Sequence, residues 1–255
     1  MSDAVLFDAR ENGVAIITLN RPETRNALSK DIRDGLFSAW DRFERDPTLR
    51  VAILTGAGDK AFCAGGDLKE MVDRKLQIPP RDMFPVPGDN VVLTKPTIAA
   101  VNGVAFAGGW MIAQACDLCV ASTAAKFAIT EVKVGRSSPW ATPLIHMIPQ
   151  RIMMEIVLTG KPIDAQRAYE IGLVNRLAKP DKLMDVALAL AAEILDGSPL
   201  SVSAAREMVM LSTEMGRSAA LAAARYASER VYRSDDAQEG PKAFSEKRRP
   251  NWKGV

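Results

Sequence analysis

Histidine is almost absent from this chain: its 255 residues include one, His146. A zinc centre built on imidazoles is therefore excluded, and a Ser-His-Asp triad would have a single candidate base. That histidine lies in the apolar stretch PLIHMIP, which predicts a packed, structural side chain. Cysteine is nearly as scarce. Cys63, Cys116 and Cys119 cannot make a full disulfide framework, which fits a reducing, cytoplasmic setting. Cys116 and Cys119 form a lone CxxC beside a strand-like run, where core thiols are expected rather than redox or metal chemistry. No metal site is expected. No apolar run reaches the roughly 18 residues that a membrane-spanning helix needs, and MSDAVLFDAR lacks the apolar centre of a secretory leader. Neither GxGxxG nor GxxxxGK[ST] occurs, which argues against cradling of nucleotide phosphates by either motif. Net charge is +2 with no long basic block, so neither nucleic acid nor a membrane is an expected partner. Lys247, Arg248 and Arg249 form the densest basic run and read as a solvated tail.

Hydrophobic residues make up 47% of the chain and charged ones 25%, as in an ordinary globular protein. The length allows one large domain, or a domain with an appendage, around a substantial core. Val14 to Leu19 is a β-rich apolar run closed by Asn20, Arg21 and Pro22. Ser29 is placed to cap a helix whose apolar positions Ile32, Leu36, Trp40 and Phe43 recur at helical spacing, and Asp46-Pro47 ends it. Val51 to Thr55, Thr97 to Val101, Leu118 to Ala121 and Lys126 to Ile129 read as further strands. Asp67 is expected to cap a short helix reaching Lys75. Residues 76–92 contain Pro79, Pro80, Pro85 and Pro87 and read as a surface loop. From about Asp181 the pattern turns helical, with Leu183, Val186, Leu190 and Ile194 on one face and Met208 and Leu211 continuing it on the next helix. Strands with helices first and helices alone afterwards imply an α/β body with a C-terminal α-helical subdomain. No fixed-period repeat is visible.

Two segments share a character: AFCAGGDLKE (Ala61 to Glu70) and NGVAFAGGW (Asn102 to Trp110). Each follows an apolar strand, passes through small residues and leads into a helix. Glycine lets backbone approach a ligand closely, and the first turn of a helix leaves N–H groups unpaired. Two such turns facing one point would form an oxyanion hole, in which each donor is worth about 3 kcal/mol. Spacing alone is equally compatible with tight turns made for packing.

Together these segments resemble the enoyl-CoA hydratase/isomerase (crotonase) superfamily. NRPETRNALS (Asn20 to Ser29) is similar to its early signature, and AFCAGGDLKEM and KPTIAAVNGVAFAGGW to its two oxyanion-hole regions, in the right order. AKFAITEVKVG resembles the segment that bears a catalytic carboxylate, LTGKPIDAQRAYEIGLVNRL the later helix and strand, and EGPKAFSEKRRPNWKG the tail of the subgroup containing crotonobetainyl-CoA hydratase. The resemblance implies a spiral of ββα units over residues 1–195 that binds acyl-CoA. It also implies a helical oligomerisation subdomain over 196–255 that builds a homotrimer or homohexamer. Coenzyme A would be part of the substrate, with no separate cofactor. The thioester oxygen would be held by the N–H groups of Gly66 and Gly108. Ala64, Gly65 and the turn Arg25-Asn26-Ala27, with Asp67, Leu68 and Gly109, would line the CoA path, and Lys69, Phe244 and Lys247 would approach its nucleotide end.

Hydratases of this superfamily carry two glutamates about 20 positions apart. The second matches Glu131; the first matches Met111, which transfers no proton. Trp110 is bulky beside the second turn, and Ser137-Ser138-Pro139-Trp140 replaces a glycine-rich stretch. A lone Glu131 suits a proton shuttle between C4 and C2, the isomerase logic. Hydration stays open if Ser137 or Ser138 positions the water, and the tail favours it. Hydrolysis or C–C cleavage of a specialised CoA thioester, and CoA binding without catalysis, are the remaining alternatives.

Overall fold

The computed structural model describes residues 3–73, 75 and 77–255, without the side chains of Leu68, Lys69 and Met71. β1 (Val5–Ala9) runs antiparallel to β2 (Val14–Leu19), and α1 (Lys30–Arg45) follows. A ββα unit then recurs. β3 (Val51–Gly56) and β4 (Ala61–Cys63) lead to α2 (Leu68–Asp73), and β5 (Thr97–Val101) and β6 (Val104–Phe106) lead to α3 (Gly108–Gln114). β7 (Leu118–Ser122) and β8 (Lys126–Ala128) lead to a short 3-10 helix, Glu131–Val134, and then to another, Pro139–His146. The first strand of each unit joins a six-stranded sheet and the second a four-stranded sheet, so the chain spirals between them.

α4 (Gln150–Thr159), β9 (Ile163–Asp164), α5 (Ala165–Glu170) and β10 (Arg176–Ala178) complete this body. The large sheet has the order β1-β2-β3-β5-β7-β10, parallel from β2 onward, and the small one β4-β6-β8-β9, parallel except at β9. The helices α6 (Leu183–Leu195), α7 (Pro199–Glu214), α8 (Arg217–Tyr232) and α9 (Asp236–Ser245) follow. The expected spiral of ββα units with C-terminal helices is thus the architecture. The unit recurs in backbone alone, which is why no sequence period announces it.

The VAILT run is continuous because β3 is covered on both faces. Val51 and Ile53 pack with Leu183, Ala187 and Leu190 of α6, whereas Ala52 and Leu54 face the cluster containing Leu36, Trp40 and Phe43 of α1. Arg206 of α7 ties the helical part to the body, donating from Nε to Asp117 at 2.7 Å and from Nη1 to the Leu93 carbonyl at 2.7 Å. No single helix among the described residues is long and apolar enough to cross a membrane.

Several local expectations change. Ser29 occupies the N-cap position of α1, yet its hydroxyl makes no cap hydrogen bond and accepts from Arg21 instead, at 3.3 Å. The α2 helix stops at Asp73, short of Lys75, which has a left-handed φ of 47° that a helix cannot continue through. Asp67 does cap it, accepting the Glu70 N–H at 3.2 Å. Residues 77–92 form a loop as expected, stitched by Asn90, which accepts from Val86 N and donates to the Phe84 carbonyl. His146 is exposed rather than packed, because Leu144 and Ile148 take the inward positions of that turn. Met208 is half exposed, on a helix whose buried residue is Ala204. Cys116 and Cys119 are buried free thiols, as expected.

Candidate active site

The early signature folds into a turn that props the first glycine segment. Arg25 and Asn26 both adopt left-handed φ of 54°, and the buried Asn26 side chain accepts from Arg21 N while donating to the Ala57 and Ala61 carbonyls. From that turn the Arg25 carbonyl accepts the Ala64 N–H at 3.0 Å, and the Leu28 N–H donates to Gly65 O at 2.8 Å. Arg25 itself is exposed and Ala27 partly so, at the mouth of this turn. Asn26, in the middle of the turn, is thus an internal strut of the loop.

The second glycine segment is held against the first. Gly109 has no room for a side chain, since a Cβ there would stand 2.0 Å from the Cys63 carbonyl oxygen. Gly65, at φ +100°, would place a Cβ 3.4 Å from Gly108 N. A Cβ on Gly108 would lie 3.5 Å from Gly66 N. The two turns therefore converge on one point. Neither Gly66 N–H nor Gly108 N–H has an acceptor among the described residues. Ala107, just before α3, takes a φ of 50° and donates to Ala128 O at 2.8 Å, which fixes the second turn to β8. Two unpaired amides side by side suit an oxygen that gains negative charge.

β8, to which Ala107 is bonded, leads directly to Glu131 at the start of the following 3-10 helix. Its Oε1 accepts the indole N–H of Trp140 at 3.0 Å, while Oε2 is buried with no partner among the described residues. Burial pushes the Glu131 carboxyl above its ordinary range, opposed by its own backbone N–H and by Trp140. Trp140 has a second role, as its carbonyl accepts Gln114 Nε2 at 2.9 Å. Gln114 closes α3, and its Oε1 is likewise buried and unpartnered. Met111 is buried one turn earlier, and Trp110 is fully buried with its ring edge-to-face on Phe127 at 5.7 Å. Ser137 is exposed; the side chain that hydrogen-bonds the Glu131 carboxylate among the described residues is Trp140.

The profile of the enoyl-CoA hydratase/isomerase family matches residues 9–255. The chain belongs to that family. It is similar to (E)-benzylidenesuccinyl-CoA hydratase of Thauera aromatica, 40% identical over 251 residues that cover 96% of this chain and 97% of that protein. It is also similar to carnitinyl-CoA dehydratase of Citrobacter koseri, 39% identical over 270 residues and covering both chains fully at 100%. Among solved structures, an enoyl-CoA hydratase of Mycobacterium marinum superposes with a TM-score of 0.91 at 38% identity, covering 99% of each chain. The chain is thus an enoyl-CoA hydratase/isomerase-type enzyme acting on an acyl-CoA thioester.

The family member seen here brings together Gly65, Gly66, Gly108, Gly109 and the Arg25–Ala27 turn, with Asp67 capping α2 beside them. The side chains of Leu68 and Lys69 lie outside the described residues. Phe244, 88% exposed, and Lys247 sit on the C-terminal tail and are joined to neither turn by a described hydrogen bond. Sequence reasoning missed Gln114. The signal was there, since an amide three residues after Met111 faces the same side of a helix.

Proposed function

We propose that this enzyme reversibly hydrates a 2-enoyl-CoA. The observation that carries the reading is the convergence of the two glycine turns, with a Gly108 Cβ position 3.5 Å from Gly66 N. The N–H groups of Gly66 and Gly108 would bind the thioester oxygen. Water would add to C3 as the double-bond electrons move onto that oxygen, and Glu131 would take a proton from the water and return it to C2. The raised affinity of the Glu131 carboxyl for protons supports this two-way traffic, because a group that gives as readily as it takes serves both half-steps. The relatives named as hydratases and a dehydratase support hydration.

The same reading assigns the CoA path to Arg25, Ala27, Ala64, Gly65, Asp67, Leu68 and Gly109, and the nucleotide end to Lys69, Phe244 and Lys247, with no cofactor beyond the substrate's own CoA. A homotrimer or homohexamer in the cytoplasm is part of it. The exposed Met208, Val209, Met210 and Met215 on and after α7, and Leu221 on α8, support association through the C-terminal helices. Incubation with a 2-enoyl-CoA and a 3-enoyl-CoA tests the reading; turnover of neither overturns it.

Isomerisation between C4 and C2 is the second reading, favoured by Met111 where a second carboxylate would stand. Conversion of the 3-enoyl-CoA without hydration of the 2-enoyl-CoA would select it.

A further inference from the structure

Water that adds to C3 has two hydrogens, one to be given up and one to be kept. Holding its lone pair toward carbon calls for a hydrogen-bond acceptor on each. Glu131 Oε2 is one, buried and without a partner. Position 111, one turn into α3, is Met and offers no such oxygen. The next turn of the same helix offers Gln114 Oε1, also buried and unpartnered.

These two oxygens are connected through one residue. Trp140 donates its indole N–H to Glu131 Oε1 at 3.0 Å and accepts Gln114 Nε2 on its carbonyl at 2.9 Å. In each case the clamp uses one half of the side chain and leaves the remaining oxygen without a partner. The bond to Trp140 also fixes which end of the amide is oxygen, since only the NH₂ end can donate to a carbonyl. A purely structural Gln114 would leave a buried acceptor bare, which folded proteins avoid.

We propose that Gln114 is the second acceptor for the reacting water, forming with Glu131 a pair whose geometry Trp140 sets; the inference rests on the hydratase reading above. The water oxygen bonds to C3 as the C2=C3 electron pair shifts toward the thioester oxygen. One proton goes to Glu131 Oε2. The other stays on oxygen, hydrogen-bonded to Gln114 Oε1, and ends as the hydrogen of the 3-hydroxyl group. Glu131 returns its proton to C2 as the enolate collapses, so H and OH are both added and no further reactant is consumed. Gln114 transfers no proton and positions the water alone.

The test separates water attack from proton shuttling. Hydration of 2-butenoyl-CoA needs both. Exchange of the C2 hydrogens of 3-butenoyl-CoA with D₂O, read by mass spectrometry, needs the two amides and Glu131 but no attacking water. Gln114→Met removes the acceptor at nearly constant volume. The expected result is a fall of about 10²-fold in hydration kcat, with KM and the exchange rate within about threefold of wild type. Unchanged hydration overturns the proposal. So does an equal fall in both rates, which would make Gln114 a support for Trp140 and Glu131 only. Gln114→Asn keeps the amide but withdraws it by one methylene, and gives the same split if the Met variant does not fold. Wild-type exchange without hydration also overturns the inference while sparing the oxyanion assignment, whereas neither activity in wild type defeats the hydratase reading itself.

Discussion

Arg33 grips both carboxylate oxygens of Glu70, each at 2.8 Å, and from the same guanidinium donates to the Leu28 carbonyl at 2.8 Å. Its side chain is 6% exposed and that of Glu70 19%. One buried cation therefore ties α1 to α2 and to the residue whose own N–H holds Gly65. It also lies over the Phe84 ring of the 77–92 loop, 5.8 Å from the centroid.

Arg33→Met should therefore destabilise the fold by about 3 kcal/mol, because removing one partner strips Glu70 of its bidentate ion pair in a largely dry setting. A lowered urea midpoint with unchanged slope measures it. An unchanged midpoint would mean that solvent or another group replaces the guanidinium at no cost.

Gly108→Ala and Gly109→Ala should behave differently. At Gly108 the tightest contact of a new methyl is 2.9 Å to Leu28 Cδ1, the far end of a side chain that can swing away, and the methyl would then sit beside Gly66 N. The fold should persist while activity falls about 10²–10³-fold through an obstructed oxyanion site. At Gly109 the methyl meets the Cys63 carbonyl at 2.0 Å, backbone that cannot move without separating the turns. That variant should lose thermal stability first, as a melting curve would show.

Glu131→Gln should abolish hydration, by about 10²–10⁴-fold, and yet raise the melting temperature at neutral pH. Burial raises the Glu131 pKa, so the folded protein holds this proton more tightly than the unfolded chain. The resulting stabilisation is present below the ordinary glutamate range and is lost as pH rises through the raised value. A glutamine never carries the charge and still accepts from Trp140. A lower melting temperature would contradict the assigned direction.

Trp140→Phe removes a hydrogen bond to the ionised form of Glu131. With that bond gone the carboxyl should bind its proton still more tightly. The acid side of the kcat/KM profile should move to higher pH, and an unmoved limb would deny Trp140 its influence on the base.

Much of this was legible in the sequence. Val14–Leu19, Val51–Gly56 and Thr97–Val101 announce themselves because strands covered on both faces read as unbroken apolar runs. The glycine turns were legible because few residues other than glycine fit where backbones nearly touch. The β4 and β6 strands were not: each has three residues and lies within what reads as a turn. The β1 strand escaped for another reason. It is an edge strand with a largely exposed face, so Asp8 and the half-exposed Leu6 blur its pattern. Glu131 was found through the resemblance of its segment, AKFAITEVKVG, to one that bears a carboxylate, but the pairing of Gln114 with Trp140 was not, since it lies in a contact across 26 residues. His146 was misjudged because an apolar neighbourhood along the chain does not fix which way a 3-10 turn points.

Cys63 places sulfur directly behind the pocket that would polarise a thioester, with the Gly65 N–H 3.4 Å from its Sγ. A thiolate there would compete with coenzyme A for the acyl group. Burial instead pushes the thiol up to about 12, so it stays protonated and inert at any physiological pH. The same burial that packs this turn thus keeps its sulfur in the thiol form, a poor nucleophile toward a thioester.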